Sequence, residues 1–505
     1  MAGPAMLSKI ERFVVLMLEN RSFDHLLGPL KAQNPAIVGA RDKEFTNPID
    51  PAAPASPTVP VGPVSAYTMP FDPGHEFIDV QIQLYGRAPT AAREPAPRVD
   101  PAPMSGFVYS AELAAQSPAR AAWVMQTFPP GKLPVITTLA TEFAVYNYWH
   151  SSLPGPTWPN RFFAHAATSG GLSDSPKDAD ILAGYTFPAG TIYQRLDQAQ
   201  KTWRIYHDGL PHTAGIDSLR SEFLNVLTKN FRDMDRFESD LRSGDLPHFV
   251  FIEPRYDTGH EFVGGNSMHP KNDARKGEAL IKSVYESIRS SRFWGETMFV
   301  VAFDEHGGFF DHVSPPAAIP PGGDARYANP VDQFNFDRLG VRVPAIVVSA
   351  YTDKGTVIGD SPLDYYDHTS ILATVEKRFG LPPITNRDKA AWDRTLETAL
   401  NLTSPRLSPD AAPMSLPAPL GDGLMTRFLG MFVGAATDPT APLSQSQRVQ
   451  LTLAHACNLQ VLDPSERDAA HQRYLGVRGQ ADAADYIKSV EDRIRTRRQL
   501  ANVST

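Results

Sequence analysis

The stretch VVLMLENRSF, from Val14 to Phe23, joins a run of apolar residues directly to Glu19, Asn20 and Arg21. Apolar and β-branched side chains in a row are typical of a strand that is covered on both faces. In an open α/β sheet, ligands bind beyond the carboxyl ends of the strands. The polar residues that end this strand are therefore candidates for a functional site, although a plain polar loop explains this single stretch equally well.

The stretch TMFVVAFDEHGGFFDHVSPP repeats the same arrangement later in the chain. The apolar residues Met298–Phe303 lead into Asp304, Glu305 and two glycines. Two carboxylates at one strand end repel each other unless a cation or a proton lies between them. Glycine allows the backbone to turn sharply or to approach a ligand closely. Asp311 and His312 follow in the same loop.

The two strand ends together predict a metal site. Glu19, Asn20, Asp304 and Glu305 offer hard oxygen ligands, which suit one divalent cation of unknown identity. Mixed oxygen and nitrogen ligands would also suit zinc or iron. The alternative is an acidic surface loop, but burial of adjacent carboxylates beside two glycines requires a compensating charge.

A third stretch, WHSSLPGPTWPNRFFAHAATSG, places a threonine in a loop stiffened by prolines. Pro154, Pro156 and Pro159 surround Thr157, and we expect a helix to begin near Asn160. The N–H groups of a helix start favour an anion. A threonine hydroxyl needs a base or a metal before it can act as a nucleophile, and a threonine at such a place is more commonly a helix cap.

Three histidines lie in loops rich in Pro, Gly, Asp or Ser. They are His75 in FDPGHEF, His269 in GGNSMHP and His368 in DYYDHTS. Each alone is more commonly a packing residue than a catalytic one. Several such histidines in one chain with paired carboxylates favour a site that handles phosphate.

The composition narrows the class of protein. The chain has 505 residues, of which 42% are hydrophobic and 21% charged, and these values are typical of a globular protein. A net charge of −8 argues against a nucleic acid partner. One cysteine, Cys457, excludes intrachain disulfides and cysteine metal clusters.

Apolar strands alternate with helical segments along the chain, which predicts an α/β fold with a largely parallel sheet covered by helices. From about Asn47 to Pro103 the chain is rich in Pro and Ala, so we expect mostly extended loop with one short helix near GHEFIDVQIQLYG. The other predicted helices are Ala111–Met125, Ser218–Leu227, Arg275–Ser290 and Thr369–Phe379, and the other predicted strands are Phe143–Tyr146, Thr202–Tyr206, His248–Ile252, Thr297–Phe303 and Val343–Val348.

The composition changes after about Leu400. A Pro-rich connector is followed by two amphipathic stretches, so we expect a catalytic domain at 1–400 and a helical, non-catalytic region at 401–505. The sequence contains no transmembrane helix. The apolar segment at the start reads as a strand rather than a signal peptide. We therefore expect a cytoplasmic protein, or a secreted one if a leader was removed.

Seven stretches in this order resemble the phosphoesterase family that contains the non-haemolytic type C phospholipases and related bacterial acid phosphatases. The resemblance covers roughly Lys9 to Leu381 and implies an alkaline-phosphatase-like α/β/α sandwich. The helical C-terminal appendage expected from composition lies beyond the matching stretches. The matching stretches are ENRSFDHLLG, FDPGH, LPGPTWPNR, FIEPRY, NSMHP followed by KGEALI, FDEHGGFFDHV and YDHTSIL.

The resemblance also implies roles for the residues singled out above. Glu19 and Asn20 would approach the metal and the phosphate, and Asp304 and Glu305 would bind the metal. Thr157 takes the place of the nucleophile. The remaining matched positions, expected around the phosphoryl group, are Asn160, His75, His269 and His368.

These residues predict a phosphoesterase of phospholipase C type. The Thr157 alkoxide would attack phosphorus to give a phospho-threonine, and a histidine, for which we favour His269, would protonate the leaving group. The substrate would be a phosphatidylcholine-like lipid, cleaved to diacylglycerol and a phospho-alcohol. Two alternatives stay open, namely a broad acid phosphatase acting on phosphomonoesters and a metal-stabilised binding protein with an inactive site.

A phospholipid or other phosphate-ester substrate leaves room for transient contact with a membrane surface. Apolar loops at the mouth of the site would serve such contact, although the same residues could equally belong to the core. The sequence does not indicate an oligomeric state. The candidate mouth residues are Phe107, Tyr109, Trp158, Phe309 and Phe310.

Overall fold

A central β-sheet organises the protein. The computed structural model describes residues 6–64, 66–87, 100–258, 262–322, 334–421 and 441–503. Within these residues the sheet has eight strands, which stand in the spatial order β8-β2-β7-β6-β1-β5-β3-β4. In chain order the strands are β1 Arg12–Leu18, β2 Ala144–Tyr146, β3 Trp203–His207, β4 Phe231–Asp233, β5 Phe249–Glu253, β6 Thr297–Phe303, β7 Ala345–Ser349 and β8 Val357–Ile358.

The sheet is largely parallel, as the sequence predicts. β6, β1, β5, β3 and β4 run in one direction, and β7 runs antiparallel between β6 and β2. β1 and β6 pair in register from Arg12 with Thr297 to Leu18 with Phe303. The polar residues that follow Leu18 and Phe303 therefore leave the sheet side by side.

Helices cover both faces of this sheet. In chain order they are α1 Phe23–Leu26, α2 Phe77–Tyr85, α3 Phe107–Ala115, α4 Pro118–Ala121, α5 Pro134–Glu142, α6 Thr157–Ala166, α7 Asp178–Ala183, α8 Ile192–Gln198, α9 Asp217–Leu224, α10 Phe237–Ser243, α11 Ala274–Ser290, α12 Thr369–Phe379, α13 Asn386–Ala390, α14 Gln445–Val461, α15 Pro464–Leu475 and α16 Gln480–Val503.

Ring contacts show which helix lies on which face. Phe13 of β1 contacts Phe379 of α12, with ring centroids 5.8 Å apart. Tyr206 of β3 aligns across β5 with Leu16 of β1. Because Leu16 lies three residues after Phe13 and side chains alternate along a strand, Leu16 and Tyr206 point to the face opposite Phe13. There it contacts Phe237 of α10 at 5.1 Å. The predicted α/β/α sandwich is thus confirmed in the arrangement of its layers.

Most predicted elements are present with ends shifted by a few residues, and Thr297–Phe303 and Thr369–Phe379 match fully. The prediction of one helix over Ala111–Met125 was wrong. The chain turns at Gln116 into the left-handed conformation (φ 49°), and a new helix starts at Pro118. Proline lacks an N–H and disfavours helical geometry in the residue before it, so the apolar pattern continues while the helix does not.

The C-terminal region is helical, as predicted, and packs on the sheet domain. Thr452 of α14 hydrogen-bonds to Asp178 of α7 at 3.1 Å, and Glu491 of α16 accepts the N–H of Leu210 at 2.9 Å. The apolar side chains of α14 and α16 belong to the same buried cluster as the sheet. The domain division at residue 400 stays a prediction. Residues 88–99 and 422–440, which include parts of the two Pro-rich stretches, lie outside the described residues.

Among the residues that the structure describes, no helix combines the length and the apolar character needed to span a bilayer.

Candidate active site

The carboxyl ends of β1 and β6 bring the two predicted acidic stretches together. The backbone N–H of Asn20 donates to Oδ1 of Asp304 at 3.0 Å, and the N–H of Arg21 donates to the Glu305 carbonyl at 3.0 Å. All four side chains of Glu19, Asn20, Asp304 and Glu305 are buried. This close approach follows from the parallel register of the two strands.

Backbone geometry at this edge explains one of the two glycines after Glu305. Asn20 has a left-handed backbone (φ 58°), which turns the chain sharply after β1. Gly307 also has a positive φ of 64°, and a Cβ at this position would lie 2.3 Å from the Asn20 carbonyl oxygen. Only glycine therefore fits between the two strand ends.

Thr157 points at this pair of strand ends. It is the first residue of α6, and its hydroxyl donates to Oδ1 of Asn20 at 3.4 Å. Pro156 occupies the N-cap position, and no side chain caps the helix there. The alternative interpretation of Thr157 as a helix cap is therefore wrong. The free N–H groups of the first turn of α6 favour an anion beside the hydroxyl.

Asn160 shapes the loop that presents Thr157. Its Nδ2 donates to the carbonyls of Gly155 at 2.8 Å and Pro156 at 3.0 Å, and its Oδ1 accepts the N–H of Leu153 at 3.0 Å. The side chain thus satisfies the backbone of a proline-containing turn. A direct catalytic role for Asn160 stays a prediction.

Arg161, one turn along α6 from Thr157, was not singled out by the sequence. Its Nε forms a buried ion pair with Oδ2 of Asp304 at 3.0 Å. Its Nη2 donates to the carbonyls of Met17 and Leu18, both at 3.2 Å. The guanidinium therefore ties the helix that carries Thr157 to the strand that carries Glu19.

Arg21, the cation that follows Glu19 and Asn20 after the first strand, binds a neighbouring loop. It is fully buried, and its Nε and Nη2 donate to the carbonyls of Met268 at 2.7 Å and His269 at 3.2 Å. Burial lowers the pKa of Arg21 to about 9, an effect that the carboxylate of Asp72 opposes. Arg21 thus fixes the loop that carries His269.

His75 and His269 form a pair with ring centroids 6.5 Å apart. Burial favours neutral His75, but Glu305 and Asp72 outweigh it and raise the pKa of His75 to about 10. Burial, and then the charge on His75, lower the pKa of His269 well below its ordinary value. Its Nε2 lies 3.5 Å from Asp72, and Phe262 stacks on its ring at 3.6 Å. One imidazolium and one neutral imidazole therefore face each other.

His368 lies behind Asp304. Its Nε2 donates to the Asp304 carbonyl at 2.7 Å, and its Nδ1 accepts the indole N–H of Trp149 at 3.4 Å. Burial lowers the pKa of His368 to about 4, so the ring is neutral. Both ring nitrogens are thus engaged by the protein, and a direct catalytic role for His368 stays a prediction.

Several polar atoms at the meeting point of β1, β6 and α6 are buried without a hydrogen-bond partner. Among the described residues these include Glu19 Oε2, Asn20 Nδ2, Arg161 Nη1 and Glu305 Oε1. Burial raises the pKa of Glu19 to about 8, partly countered by Arg161, and burial raises the pKa of Asp304 to about 6. Orphaned carboxylate and amide groups need a ligand, and their oxygens fit a divalent cation.

A second acidic cluster follows the same two strands and consists of Asp24, Asp311 and His312. Their ligand atoms lie within 4.8 Å of one another, which is compatible with a metal ion. However, Arg342 donates to Asp311 Oδ1 from Nε at 2.9 Å and to Asp24 Oδ1 from Nη2 at 3.2 Å. Arg342 therefore supplies a positive charge to both aspartates of this cluster.

Glu253, at the end of β5, is a third acidic strand end that the sequence did not assign to a role. Its carboxylate accepts the N–H groups of His212 at 2.7 Å and Thr213 at 3.0 Å and the hydroxyl of Tyr256 at 2.6 Å. The Tyr256 ring lies 5.2 Å from the Arg161 guanidinium. Glu253 thus supports the surroundings of Arg161.

The candidate mouth residues belong mainly to the core. Phe107, Trp158, Phe309 and Phe310 are all buried, and Tyr109 is half-buried. Apart from Tyr109, these aromatic side chains therefore offer little surface for contact with a substrate.

The fold and the site define a hydrolytic enzyme of the α/β class with a threonine hydroxyl beside paired carboxylates. Residues 10–382 match the Phosphoesterase family, and the chain belongs to this family. It is therefore a hydrolase that acts on phosphoric ester bonds, as the sequence predicts.

Similar proteins include two from Arabidopsis thaliana. Non-specific phospholipase C3 is 39% identical over 423 residues, which cover 82% of this chain and 77% of that protein. Non-specific phospholipase C5 is 40% identical over 407 residues, with 79% and 75% covered. Phospholipase C A of Mycobacterium tuberculosis is 27% identical over 465 residues, with 80% and 81% covered.

Solved structures are less similar. A protein of the alkaline phosphatase superfamily from Vibrio parahaemolyticus has a TM-score of 0.30 and 14% identity, with 51% of this chain and 63% of that chain covered. The phosphonate monoester hydrolase of Silicibacter pomeroyi has a TM-score of 0.32 and 11% identity, with 53% and 72% covered. Because these TM-scores are low, the fold of this chain is described from its own strands and helices and not from these structures.

Proposed function

We propose that this protein is a metal-dependent phospholipase C that cleaves phosphatidylcholine-like lipids to diacylglycerol and a phospho-alcohol. The names of the relatives support the substrate class. The observation that carries the proposal is the Thr157 hydroxyl, which contacts Asn20 at the edge where buried carboxylate oxygens have no protein partner.

The residues that would hold one divalent cation are Glu19, Asn20, Asp304 and Glu305. When bound, such a cation neutralises phosphate oxygens and favours the ionised form of a nearby hydroxyl. Arg161 already ion-pairs with Asp304, so the site combines a fixed positive charge with the carboxylates. The unpartnered Nη1 of Arg161 is available to an anionic group.

The proposed reaction proceeds in two displacements. The Thr157 oxygen loses its proton and forms a bond to phosphorus, while the bond from phosphorus to the glycerol oxygen breaks and that oxygen takes up a proton. Water then attacks the phospho-threonine, which releases the phospho-alcohol and restores the hydroxyl. The first turn of α6 and Asn20 orient the phosphate.

The histidine pair suits the proton transfers of both displacements. His75 is held cationic and His269 neutral, and such separation of pKa values provides an acid and a base at one site. The sequence favoured His269 as the donor to the leaving group.

Replacement of the nucleophile is the central test. Thr157→Ala should keep the fold and lower turnover by several orders of magnitude, because an activated nucleophile works as a unit with its surroundings. Thr157→Ser, the matched control, should keep part of the activity because it retains the hydroxyl. After rapid acid quench of labelled substrate, label should map to the peptide that contains Thr157. Near-parental turnover by the alanine variant would reject the proposal.

A substrate panel tests the substrate class and the metal. We expect phosphatidylcholine and p-nitrophenyl phosphorylcholine to be cleaved and p-nitrophenyl phosphate to be a poor substrate. Chelation should abolish turnover, and return of a divalent metal should restore it. Preference for the monoester would indicate the acid phosphatase instead, and inactivity on every substrate with metal present would indicate a binding protein.

A further inference from the structure

Exposed aliphatic side chains belong to segments around the candidate active site, whereas the aromatic residues predicted for this place are buried or, in Tyr109, half-buried. Ile78, Val263 and Ile319 are 44%, 58% and 51% exposed. Single exposed apolar residues are common on protein surfaces and mean little. These three differ because each lies in a segment that joins a residue or loop of the site, by closeness in sequence for Ile78 and Val263 and by a hydrogen bond for Ile319.

Ile78 and Val263 flank the histidine pair. Ile78 lies in the first turn of α2, three residues after His75. Val263 follows Phe262, whose ring stacks on His269. Because the rings of His75 and His269 are 6.5 Å apart, the two exposed side chains belong to segments that meet at the same place.

Ile319 is connected to the loop that presents Thr157. Arg387 donates to the carbonyls of Ser152 at 3.1 Å and Phe336 at 2.6 Å, and its Nε also donates to the carbonyl of Ile319. One guanidinium therefore joins the segment of Ile319 to the start of the nucleophile loop.

Half-buried aromatic rings link the segment of Ile319 to that of Ile78. Phe336 contacts Phe334 at 4.9 Å, and Phe334 contacts Phe77 of α2 at 5.1 Å. These ring contacts connect α2 to Phe336, whose carbonyl shares Arg387 with the carbonyl of Ile319. We call Ile78, Val263 and Ile319 the apolar collar.

Positive charge accompanies the collar. The Nζ of Lys276, an exposed residue of α11, donates to the carbonyl of Val263 at 2.7 Å. Exposed Lys389 lines a cavity together with Pro321, two residues beyond Ile319. Aliphatic side chains with lysines beside them match the layered chemistry of a bilayer surface, where acyl chains lie below phosphate groups.

We propose that the apolar collar inserts into the surface of a phospholipid bilayer and so places the site over its lipid substrate. The proposal rests on the proposed function, because only an enzyme with a lipid substrate gains from this placement. Lys276 and Lys389 would contact lipid phosphates while the three aliphatic side chains enter the acyl boundary. The collar would act in docking and leave the chemistry at Thr157 unchanged.

The test compares vesicles with a soluble substrate. The triple variant Ile78→Ser, Val263→Ser and Ile319→Ser should bind phosphatidylcholine–phosphatidylserine vesicles roughly tenfold or more weakly, because aliphatic burial is lost. Turnover on these vesicles should fall equally, while turnover of p-nitrophenyl phosphorylcholine stays at the parental level. The control is Leu227→Ser. Leu227 is 67% exposed, but it precedes the amino end of β4, whereas the site lies beyond the carboxyl ends of β1 and β6.

Unchanged vesicle binding by the triple variant, or an equal loss in the Leu227 variant, would overturn the proposal. A single change, Val263→Trp, provides a second measurement should the triple variant fold poorly. Brominated lipids should quench its added fluorescence, and absence of quenching beyond the parental level would also overturn the proposal. Failure of the parental protein to cleave the soluble phosphodiester would instead overturn the proposed function, because vesicle binding is measured separately by sedimentation.

Discussion

Two clusters of buried carboxylates follow the same pair of strands, and they differ in how their charge is compensated. In the first cluster, Glu19 and Glu305 each keep one oxygen without a partner. In the second cluster, Asp24 and Asp311 share Arg342 at 3.2 and 2.9 Å. Of these two clusters, the second is compensated by its own guanidinium, and the first keeps carboxylate oxygens without a partner among the described residues.

The difference teaches how to separate a functional site from a structural one. A buried carboxylate without a partner costs free energy, so a folded protein tolerates it where a ligand later compensates it. A carboxylate pair in which both members contact one guanidinium is compensated internally, as with Asp24, Asp311 and Arg342, whereas in the first cluster Arg161 ion-pairs with Asp304. By this criterion we propose that the cluster at Glu19 and Glu305 binds the metal, whereas Arg342 compensates the charge of Asp24 and Asp311.

Removal of a carboxylate from each cluster gives the largest contrast. We expect Asp304→Ala and Glu305→Ala to abolish both bound divalent metal and turnover, the latter by several orders of magnitude, because the cation loses a ligand. Asp311→Asn, which removes a carboxylate from the other cluster, should leave the metal content of the protein unchanged. Elemental analysis of the purified proteins measures the first quantity and hydrolysis of p-nitrophenyl phosphorylcholine the second. Full metal content in Asp304→Ala and Glu305→Ala would reverse the assignment of the two clusters.

Much of the fold could be predicted because its signals are local. The apolar run before Glu19 and the one before Asp304 end abruptly in polar residues, and both are strands as expected. Helix ends are also encoded locally, as Gln116 and Pro118 show, but there the apolar pattern misled the prediction. Periodicity reports which residues are buried and says little about where the backbone turns.

The acidic residues of the site could be predicted from the sequence. The residues that hold them in place were much harder to predict. Arg161 pairs with Asp304 across 143 residues of sequence, and no spacing indicates such a contact. Glu253 also ends a strand, but its carboxylate already accepts hydrogen bonds from N–H groups of a loop 40 residues away in the sequence. His368 was expected around the phosphoryl group, and both of its ring nitrogens contact protein groups, the Asp304 carbonyl and the Trp149 indole. Residue type suggests a role, and only tertiary contacts show whether the group is free to perform it.

Removal of Arg342, the internal cation of the second cluster, should lower the free energy of unfolding and leave the metal content unchanged. Arg342→Met leaves Asp24 and Asp311 buried without their counter-ion, so we expect a loss of about 3–5 kcal/mol in the free energy of unfolding. The same change in an exposed pair, Arg41→Met beside Glu44, should cost at most about 1 kcal/mol. Urea unfolding measures both losses. Equal losses in the two variants would show that Arg342 does not compensate the cluster.

The smallest effect is the pH dependence of the second cluster, and its sign can be derived. Burial raises the pKa of Asp24, but His312, through its charge and its hydrogen bond, and Arg342 outweigh burial and hold this pKa below its ordinary value. An aspartate with a depressed pKa contributes stability above its unfolded pKa of about 3.9 and loses that contribution as the pH falls through the folded value. The difference in unfolding free energy between the parental protein and Asp24→Asn should therefore be constant near neutral pH and shrink only below about pH 4.

Glu278 offers an opposite case for this last measurement. Its carboxylate accepts the N–H groups of Val135 and Ile136 at 2.8 and 2.7 Å, yet burial raises its pKa to about 7. The parental protein should lose stability relative to Glu278→Gln as the pH rises from about 4 to 7, because the unfolded chain ionises first. Urea unfolding between pH 3 and about pH 8 measures both differences. If Asp24 changed with Glu278 in the same direction, the charges around Asp24 would not outweigh its burial, and the second cluster would be as incomplete as the first.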